Sequence, residues 1–194
     1  NPASGETVTV FSHKTEFLAR GAWSPLSQIR VRVWSFQEDQ KIDPEYFRSR
    51  LQSAVYCRKN YCNSASDNNY ACRLVYAEND GLPGLIADKY GNIIICQFLT
   101  SGSNYWKETI VNELQALLSP QCIYERSEGE HLRQEGLTVQ KGRLRGEEPP
   151  DLVEINEQGC RFLVDLKNGH KTGFYLDQRE NRQLSGRYSQ EAVV

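Results

Sequence analysis

The densest group of side chains that could carry chemistry lies between residues 167 and 182. Gly169 and Gly173 bracket a His-Lys-Thr triplet, and the chain then reads Phe-Tyr-Leu-Asp-Gln-Arg-Glu-Asn-Arg. A strand, a glycine-rich loop and a helix start in this order form a generic site for an anion or a cofactor, because the N–H groups at a helix N-terminus point at the ligand. Neither GxGxxG nor GxxxxGKS/T is present, so the segment by itself indicates no particular ligand.

The polar residues of this segment also have ordinary structural interpretations. Asp177 is followed three residues later by Glu180, which makes a capping-box-like pair, so Asp177 could act only as a helix cap. Lys171 and Arg179 could be surface charges, and Tyr175 could be a core residue. The segment therefore needs an independent argument before a ligand is assigned to it.

A second group of candidate residues alternates along a predicted strand from Gln28 to Phe36. Positions 29, 31 and 33 carry Ile or Val, while Arg30, Arg32 and Trp34 fall on the opposite face because strand side chains alternate. Arginine binds phosphate and stacks on bases, and tryptophan offers a stacking plane, so this face is a candidate RNA-binding surface. The alternative is a solvated strand face on which Trp34 is half-buried.

The six cysteines show no CxxC spacing, which argues against a zinc ribbon and against a thioredoxin-like motif. A zinc site built from His13, Cys57, Cys62 and Cys72 is an alternative that the spacing does not support. The other cysteines lie in or beside apolar strand-like runs. We therefore predict reduced thiols that serve as small hydrophobic residues, and no metal site.

Two helices are predicted among the strands that must position these residues. Asp43 as N-cap and Pro44 at the first helical position begin one helix. A second amphipathic helix is predicted over 104–118, with Ser103 as its cap. Most of the remaining chain up to residue 166 reads as short alternating or apolar runs, which are typical of strands.

Turn sequences divide these strands. Gly91 and Gly159 lie in polar turns that predict two hairpins, residues 58–70 read as a polar loop, and the basic run 141–145 reads as a solvated turn. The order of the runs predicts an α+β fold with strand-rich lobes and without a complete Rossmann sheet.

Length, charge and hydropathy restrict the class of protein. The 194 residues include 23 Lys and Arg against 25 Asp and Glu, a net charge of −2, and 39% are hydrophobic. That is enough apolar material for a core, so disorder throughout the chain is not expected. No apolar stretch approaches the roughly 20 residues of a membrane span, and the N-terminus lacks the features of a signal peptide. These patterns predict a soluble cytoplasmic protein that contacts no membrane.

Three motifs, in order along the chain, resemble one known family. Residues 169–182, Gly-His-Lys-Thr-Gly-Phe-Tyr-Leu-Asp-Gln-Arg-Glu-Asn-Arg, closely resemble the signature of the bacterial 23S rRNA cytosine-C5 methyltransferases. Residues 17–34 look like the end of that family's PUA-type RNA-binding domain, and residues 73–92 look like its central α/β domain. The resemblance covers essentially the whole chain, and the shared order of three separate motifs makes it specific.

The resemblance implies part of a three-part enzyme. Residues 1–42 would be the C-terminal part of a PUA-like domain, a partial β-barrel, and residues 43–70 would be a linking helix and loop. Residues 71–166 would form a mixed α/β central domain. Residues 167–194 would be the N-terminal edge of a Rossmann-like, class I methyltransferase domain.

The resemblance also implies S-adenosylmethionine as cofactor, large-subunit rRNA as partner and 5-methylcytosine as product. The cofactor-binding residues that it implies are Lys171, Tyr175, Asp177, Gln178 and Arg179. Arg30, Arg32 and Trp34 would lie in the PUA-like part, whose role in that family is to present the RNA.

The sequence departs from the family in two places. The family's glycine-rich cofactor loop and its catalytic cysteine have no counterpart here, and both would lie beyond Val194. The chain also lacks methionine and ends where an apolar run has just begun. We therefore expect a fragment with an incomplete cofactor site, no catalytic residue among its cysteines and no activity on its own.

Two other functions stay open, together with the oligomeric state. The chain could be a stand-alone RNA-binding module without catalytic activity. It could also belong to a small-molecule enzyme that uses the 169–182 loop as an anion site. A homodimer is neither indicated nor excluded by the sequence.

Overall fold

The computed structural model describes residues 1–59 and 69–189. In this part of the chain the strands are β1 Thr7–Phe11, β2 Phe17–Trp23, β3 Val31–Ser35, β4 Ala71–Tyr76, β5 Leu85–Tyr90, β6 Ile93–Phe98, β7 Cys122–Ser127, β8 Gln140–Gly146, β9 Val153–Glu157 and β10 Cys160–Val164. The α-helices are α1 Pro44–Cys57, α2 Ser101–Tyr105, α3 Lys107–Leu118, α4 His131–Gln134 and α5 Arg179–Tyr188. Short 3₁₀ segments lie at Ala77–Asp80 and Leu176–Gln178.

The strands form three sheets. Strands β1, β2 and β3 make an antiparallel sheet, β9 and β10 make a hairpin, and the central sheet has the order β4-β5-β6-β7-β8. Only β6 and β7 are parallel, and every other neighbouring pair is antiparallel. The described residues are thus a mixed α/β structure without a parallel Rossmann sheet. The predicted partial barrel is represented there by an open three-stranded sheet.

Helices α1 and α3 cover one face of the central sheet. The predicted start of α1 is confirmed, because Asp43 Oδ1 accepts a hydrogen bond from Tyr46 N at 3.0 Å and Pro44 is the first helical residue. The buried residues of the two helices are Tyr46, Phe47, Leu51 and Ala54 from α1, with Ile110, Val111 and Leu114 from α3. They join the sheet side chains of the same face in one apolar cluster.

The β9–β10 hairpin and the residues after it contribute to a second apolar cluster with the central sheet. Ile155, Val164 and Leu166 are buried in this cluster together with Tyr90 and Ile95 of the central sheet. Because Phe174 and Leu176 also pack against this cluster, the 169–182 segment is held beside the central sheet. The fold therefore fixes the segment that the sequence singled out.

The second predicted helix is divided in two. Thr100 caps α2 through a reciprocal pair, in which Thr100 Oγ1 accepts from Ser103 N at 3.3 Å and Ser103 Oγ accepts from Thr100 N at 3.2 Å. Ser103 is thus inside α2 and does not cap a helix beginning at residue 104. The break between α2 and α3 falls at Trp106. The predicted turn at 141–145 is also wrong, because these residues lie within β8, an edge strand that pairs with β7 in an antiparallel ladder.

The cysteines only partly match the prediction of reduced thiols. Cys57 and Cys160 are free and exposed, and Cys96 and Cys122 are free and buried. Cys72, however, is disulfide-bonded, so the prediction is wrong for this residue. Cys62 of the alternative zinc site lies outside the described residues, and residues 1–59 and 69–189 contain no group of three or more His, Cys, Asp or Glu side chains that could hold a metal ion. In the same part of the chain no helix combines the length and apolar composition that crossing a membrane requires.

Candidate functional site

The turn that opens the 169–182 segment is built on Asp165. Its Oδ1 accepts hydrogen bonds from the backbone N–H groups of Lys167 at 2.9 Å and Asn168 at 2.8 Å. These bonds, with the one from Asn168 N as the main cause, lower the pKa of Asp165. Gly169 follows with no room for a side chain, since a Cβ there would lie 2.4 Å from Asp165 O. The glycine is therefore required by close backbone approach.

Thr172 anchors the middle of the segment to the central sheet. It has no exposed surface, and its Oγ1 donates to Asp88 Oδ2 at 2.6 Å and lies 2.8 Å from Tyr90 Oη. Asp88, also fully buried, receives two further hydrogen bonds from Arg73, at 2.8 and 2.9 Å. Burial is the main cause that raises the pKa of Tyr90, and the negative charge of Asp88 acts in the same direction.

Lys171 adopts a backbone conformation that is unusual for its residue type. Its φ is +55°, in the left-handed region, where a non-glycine residue costs roughly 1–3 kcal/mol. The side chain is exposed, with Nζ 2.9 Å from each carboxylate oxygen of Asp177 and 4.7 Å from the ring centre of Tyr175. The hydrogen bond from Lys171 lowers the pKa of Asp177. Strain held at an exposed, charged turn is typical of functional sites.

The expected helix cap at Asp177 is not formed. Asp177 lies in the 3₁₀ segment, α5 begins at Arg179, and no side chain caps the helix. The carboxylate of Asp177 binds Lys171 instead, so the capping-box interpretation with Glu180 is wrong. The cause is tertiary, because the turn at Lys171 brings an ammonium group within reach of the carboxylate.

The other proposed cofactor residues have different surroundings. Tyr175 is 42% exposed, and its ring centre lies 5.8 Å from that of His170. Gln178 Oε1 accepts from Asn181 Nδ2 at 2.6 Å. Arg179 donates to Ala71 O at 2.6 Å, to Glu157 Oε2 at 3.3 Å and to the Tyr70 hydroxyl. Arg179 therefore attaches the segment to β4 and β9, which occupies its donors.

A cavity of about 550 Å³ brings part of this set together. Its lining residues are Arg58, Cys72, Arg73, Tyr76, Lys171, Leu176, Asp177, Arg179 and Glu180. Lys171, Asp177 and Arg179 thus line the same cavity, whereas Tyr175 and Gln178 do not line it. Three of the five residues implied by the resemblance are juxtaposed.

The sequence did not predict the residues that position the cavity-lining side chains through hydrogen bonds. Arg73 and Asp88 lay in two different predicted strands with no signal beyond their opposite charges, and Glu157 read as part of a hairpin turn. Arg182 donates from Nε and Nη2 to the two oxygens of Glu157 at 2.7 Å each, and from Nη1 to Tyr175 O at 2.7 Å. Arg182 is the last residue of the 169–182 motif, and its place in the motif was the one sequence signal that could have indicated this role.

The predicted RNA-binding residues do not share one open face. Arg30 precedes β3, is exposed and donates to Pro25 O. Arg32 forms ion pairs with Glu135 at 3.2 Å and with Glu78 at 3.5 Å. Trp34 is only 4% exposed and packs edge-on against Phe47, with ring centres 5.4 Å apart.

The burial of Trp34 corrects the expectation of a half-buried indole on a solvated face. This side of β3 packs against α1 and α2, and a Cβ on Gly102 of α2 would lie 2.8 Å from Trp34 Cζ2. The ring is therefore part of the core and offers no free stacking plane. Arg30 is the residue of the three that solvent reaches freely.

Neither buried free cysteine fits a nucleophilic role. Burial raises the pKa of Cys122 to about 11 and raises that of Cys96 further. The reactive form of cysteine is the thiolate, and both residues remain protonated at neutral pH. Their positions in β6 and β7 make them small apolar core residues.

Comparison with known proteins gives matches along the whole chain. A family model described as a PUA-like domain matches residues 1–36. The ribosomal RNA large subunit methyltransferase I of Shewanella amazonensis is 46% identical over 188 residues, which are 96% of this chain and 47% of that protein. The protein of the same name from Tolumonas auensis is 46% identical over 194 residues, 100% of this chain and 48% of that protein. The chain thus spans about half the length of the curated relatives that it matches.

A solved structure has a similar fold. The structure of a protein assigned as a methyltransferase, in complex with SAH, matches with a TM-score of 0.77 at 24% identity. The match covers 93% of this chain and 44% of that chain. At this identity the similarity concerns the fold.

Proposed function

This chain belongs to the family of the ribosomal RNA large subunit methyltransferase I proteins, and we propose that it is the RNA-presenting part of an S-adenosylmethionine-dependent rRNA methyltransferase. The observation that carries the proposal is 46% identity along essentially the whole chain. We further propose that the complete protein acts in the cytoplasm and forms 5-methylcytosine in large-subunit rRNA. The chain alone is expected to be inactive.

The Lys171–Asp177 pair has the chemistry to receive the amino-acid end of S-adenosylmethionine. That end is a zwitterion with one carboxylate and one ammonium group. Lys171 and Asp177 form an exposed ion pair at 2.9 Å, and each can exchange the other for a group of the zwitterion. Lys171 would then bind the carboxylate, and Asp177 would bind the ammonium group. No net charge is buried in this exchange, which keeps the desolvation penalty low.

The remaining three proposed residues would act around this pair. Tyr175 presents an exposed aromatic ring beside Lys171, suited to packing against the ligand. Gln178 would supply a polar contact. Arg179 would hold the segment against β4 through Ala71 O.

The N-terminal residues are proposed to contact the RNA. The PUA-like match over residues 1–36 supports this role, and Arg30 is one of the exposed cations within it. Arg32 and Trp34 are retained in the proposal as residues that shape this surface, through the ion pair with Glu135 and through packing against Phe47. Large-subunit rRNA is the proposed partner, and a homodimer is not required.

The test is methyl transfer by the complete gene product. The protein is incubated with labelled S-adenosylmethionine and unmodified large-subunit rRNA, and the product nucleoside is identified by digestion and mass spectrometry. We expect label in 5-methylcytidine from the complete protein and none from the 194-residue chain. RNA binding by the complete protein without methyl transfer would favour the stand-alone RNA-binding module. Turnover by the 194-residue chain alone would favour the small-molecule enzyme.

A further inference from the structure

We propose that Asp88 is a positioning residue of the cofactor site, because its single carboxylate holds in place two cationic side chains of the cavity wall. Asp88 lies on β5 with no exposed surface, while Arg73 and Lys171 both line the cavity. The inference rests on the proposed function and extends it to a residue that contacts no ligand.

The link from Asp88 to Arg73 is direct. Arg73 Nε and Nη2 donate to the two oxygens of Asp88 at 2.8 and 2.9 Å. A bidentate pair of this kind fixes the plane of the guanidinium as well as its position. The hydrogen bond to Asp88 also raises the pKa of Arg73, so the side chain keeps its charge beside the cavity.

The link from Asp88 to Lys171 runs through Thr172. Thr172 has one hydroxyl proton, which it donates to Asp88 Oδ2 across 2.6 Å. Tyr90 Oη, 2.8 Å away, must therefore donate to Thr172 Oγ1. Burial raises the pKa of Tyr90, so the phenol keeps the proton that this bond requires.

The anchored Thr172 fixes the turn that carries Lys171. Gly173 N donates to His170 O at 2.8 Å and closes the turn around Lys171 and Thr172. Lys171, with its φ of +55°, is in a conformation that non-glycine residues adopt only rarely, so the turn needs an external constraint. The Thr172–Asp88 bond supplies that constraint from the residue next in sequence.

Variants of Tyr90 and Thr172 distinguish a positioning role of Asp88 from a purely stabilising one. Loss of the Tyr90 hydroxyl removes its hydrogen bonds with Thr172 Oγ1 and with the backbone of Phe174 but leaves the Thr172–Asp88 link intact. Loss of the Thr172 hydroxyl breaks the link itself. Asp88→Asn is unsuited to the test because it leaves the Arg73 charge without its partner and risks unfolding.

The first measurement is the Kd of the complete protein for S-adenosylmethionine, by calorimetry, with the unfolding midpoint recorded for each variant. We expect Thr172→Val to weaken binding about tenfold or more, the size of one lost hydrogen bond to a charged group. Thr172→Ser restores the hydroxyl and should return the Kd to within about threefold of the wild-type value. Tyr90→Phe should lower the unfolding midpoint while the Kd is unchanged.

The second measurement needs no cofactor and uses the 194-residue chain. Hydrogen exchange should show a faster Gly173 amide in Thr172→Val, with the amides of β6 unchanged. Tyr90→Phe should leave the Gly173 amide nearly as protected as in the wild type. This pattern of exchange rates measures the stability of the turn at residues 170–173 without any cofactor.

Two outcomes separate the inference from the proposed function. If Thr172→Val leaves the Gly173 amide protected, or if the Kd rises equally in Tyr90→Phe and Thr172→Val in step with the loss of stability, the positioning role of Asp88 is overturned. If the wild-type complete protein has no affinity for S-adenosylmethionine but Gly173 responds as expected, the proposed function fails while the mechanical link stands.

Discussion

At the scale of single residues, the turn at Lys171 combines strain with exposed charge. The left-handed φ of +55° is a conformation that glycine adopts without penalty and lysine does not. A lysine is retained there although a glycine would fit the backbone better. We assign that choice to the ammonium group, which pairs with Asp177 and, like it, lines the cavity.

We expect Lys171→Gly to be at least as stable as Lys171→Ala. At a right-handed position glycine would be about 0.4–1 kcal/mol less stable than alanine, because it loses more entropy on folding. Here the relieved strain offsets that loss. Denaturant unfolding of both variants measures the difference, and both should lose affinity for S-adenosylmethionine in the complete protein. A glycine variant clearly less stable than the alanine variant would contradict the strain argument.

Arg30 and Arg32 are two residues apart but should respond differently to substitution. In the complete protein Arg30→Ala should weaken RNA binding and reduce the salt slope by about 0.7, the value for one phosphate contact on a single strand. Arg32→Ala removes the cation that pairs with buried Glu135 and should lower the free energy of unfolding by about 1.5–3 kcal/mol.

The measurements are RNA-binding titrations across a salt series and denaturant unfolding. Arg30→Lys keeps the charge and is the matched control, with an unchanged salt slope. Unaltered affinity and salt slope in Arg30→Ala would show that this residue does not contact RNA. An Arg32→Ala variant of wild-type stability would show that its ion pair is negligible.

At the scale of elements, α5 differs from most helices, which are stabilised by packing an apolar face against the core. None of its residues is fully buried. Arg179 and Arg182 instead donate three hydrogen bonds to the carboxylate of Glu157, which is nearly buried. Burial alone would raise the pKa of Glu157, but the bonds from Arg182 and Arg179 outweigh it and lower the pKa. The helix is thus attached by charge-assisted bonds.

We therefore expect Glu157→Gln to release α5 locally. A hydrogen bond to a charged group contributes about 1.5–3 kcal/mol, so amide exchange in residues 179–188 should accelerate about tenfold or more. The global unfolding free energy should change little in comparison. Glu154→Gln removes the same charge from the same strand at an exposed position and should leave α5 unaffected. Equal exchange in the two variants would mean that other contacts hold the helix.

At the scale of the whole molecule, Glu135 joins the three-stranded sheet to the central part of the fold. Its carboxylate accepts from Ser24 Oγ at 2.8 Å and from Ser101 N at 3.1 Å, and it pairs with Arg32. Burial by itself would raise the pKa of Glu135, but the hydrogen bonds, that of Ser101 N foremost, outweigh it and lower the pKa below its usual 4.5. The carboxylate therefore binds the N-terminal strands most strongly when ionised.

This arrangement predicts a stability that falls in acid. Because the pKa of Glu135 is lower in the folded chain than in the unfolded one, its contribution is complete above about pH 4.5 and is lost as the pH falls through the folded value. Glu135→Gln should flatten the pH dependence of the unfolding free energy below that pH. Glu130→Gln, on an exposed neighbouring residue, should leave the curve unchanged. Parallel curves for Glu135→Gln and wild type would exclude Glu135 as the acid-sensitive link.

The amino-acid sequence by itself determined the features that depend on neighbours in the chain. The start of α1 at Asp43 and Pro44 and the hairpin turns at Gly91 and Gly159 are local, because a cap or a turn is satisfied within a few residues. The 169–182 motif and its order with two others were enough to indicate the family. Each of these inferences needed only residue type and spacing.

Only the tertiary structure decided which side chains meet across the fold. Alternation placed Trp34 on one face of a strand, but whether α2 or solvent covers that face depends on packing between distant elements. Thr172 and Asp88 are 84 positions apart, and their bond exists because the 169–182 segment lies against the central sheet. Sequence spacing carries no information about such a contact, since the chain between its ends can follow many paths while burial and hydrogen bonding select one.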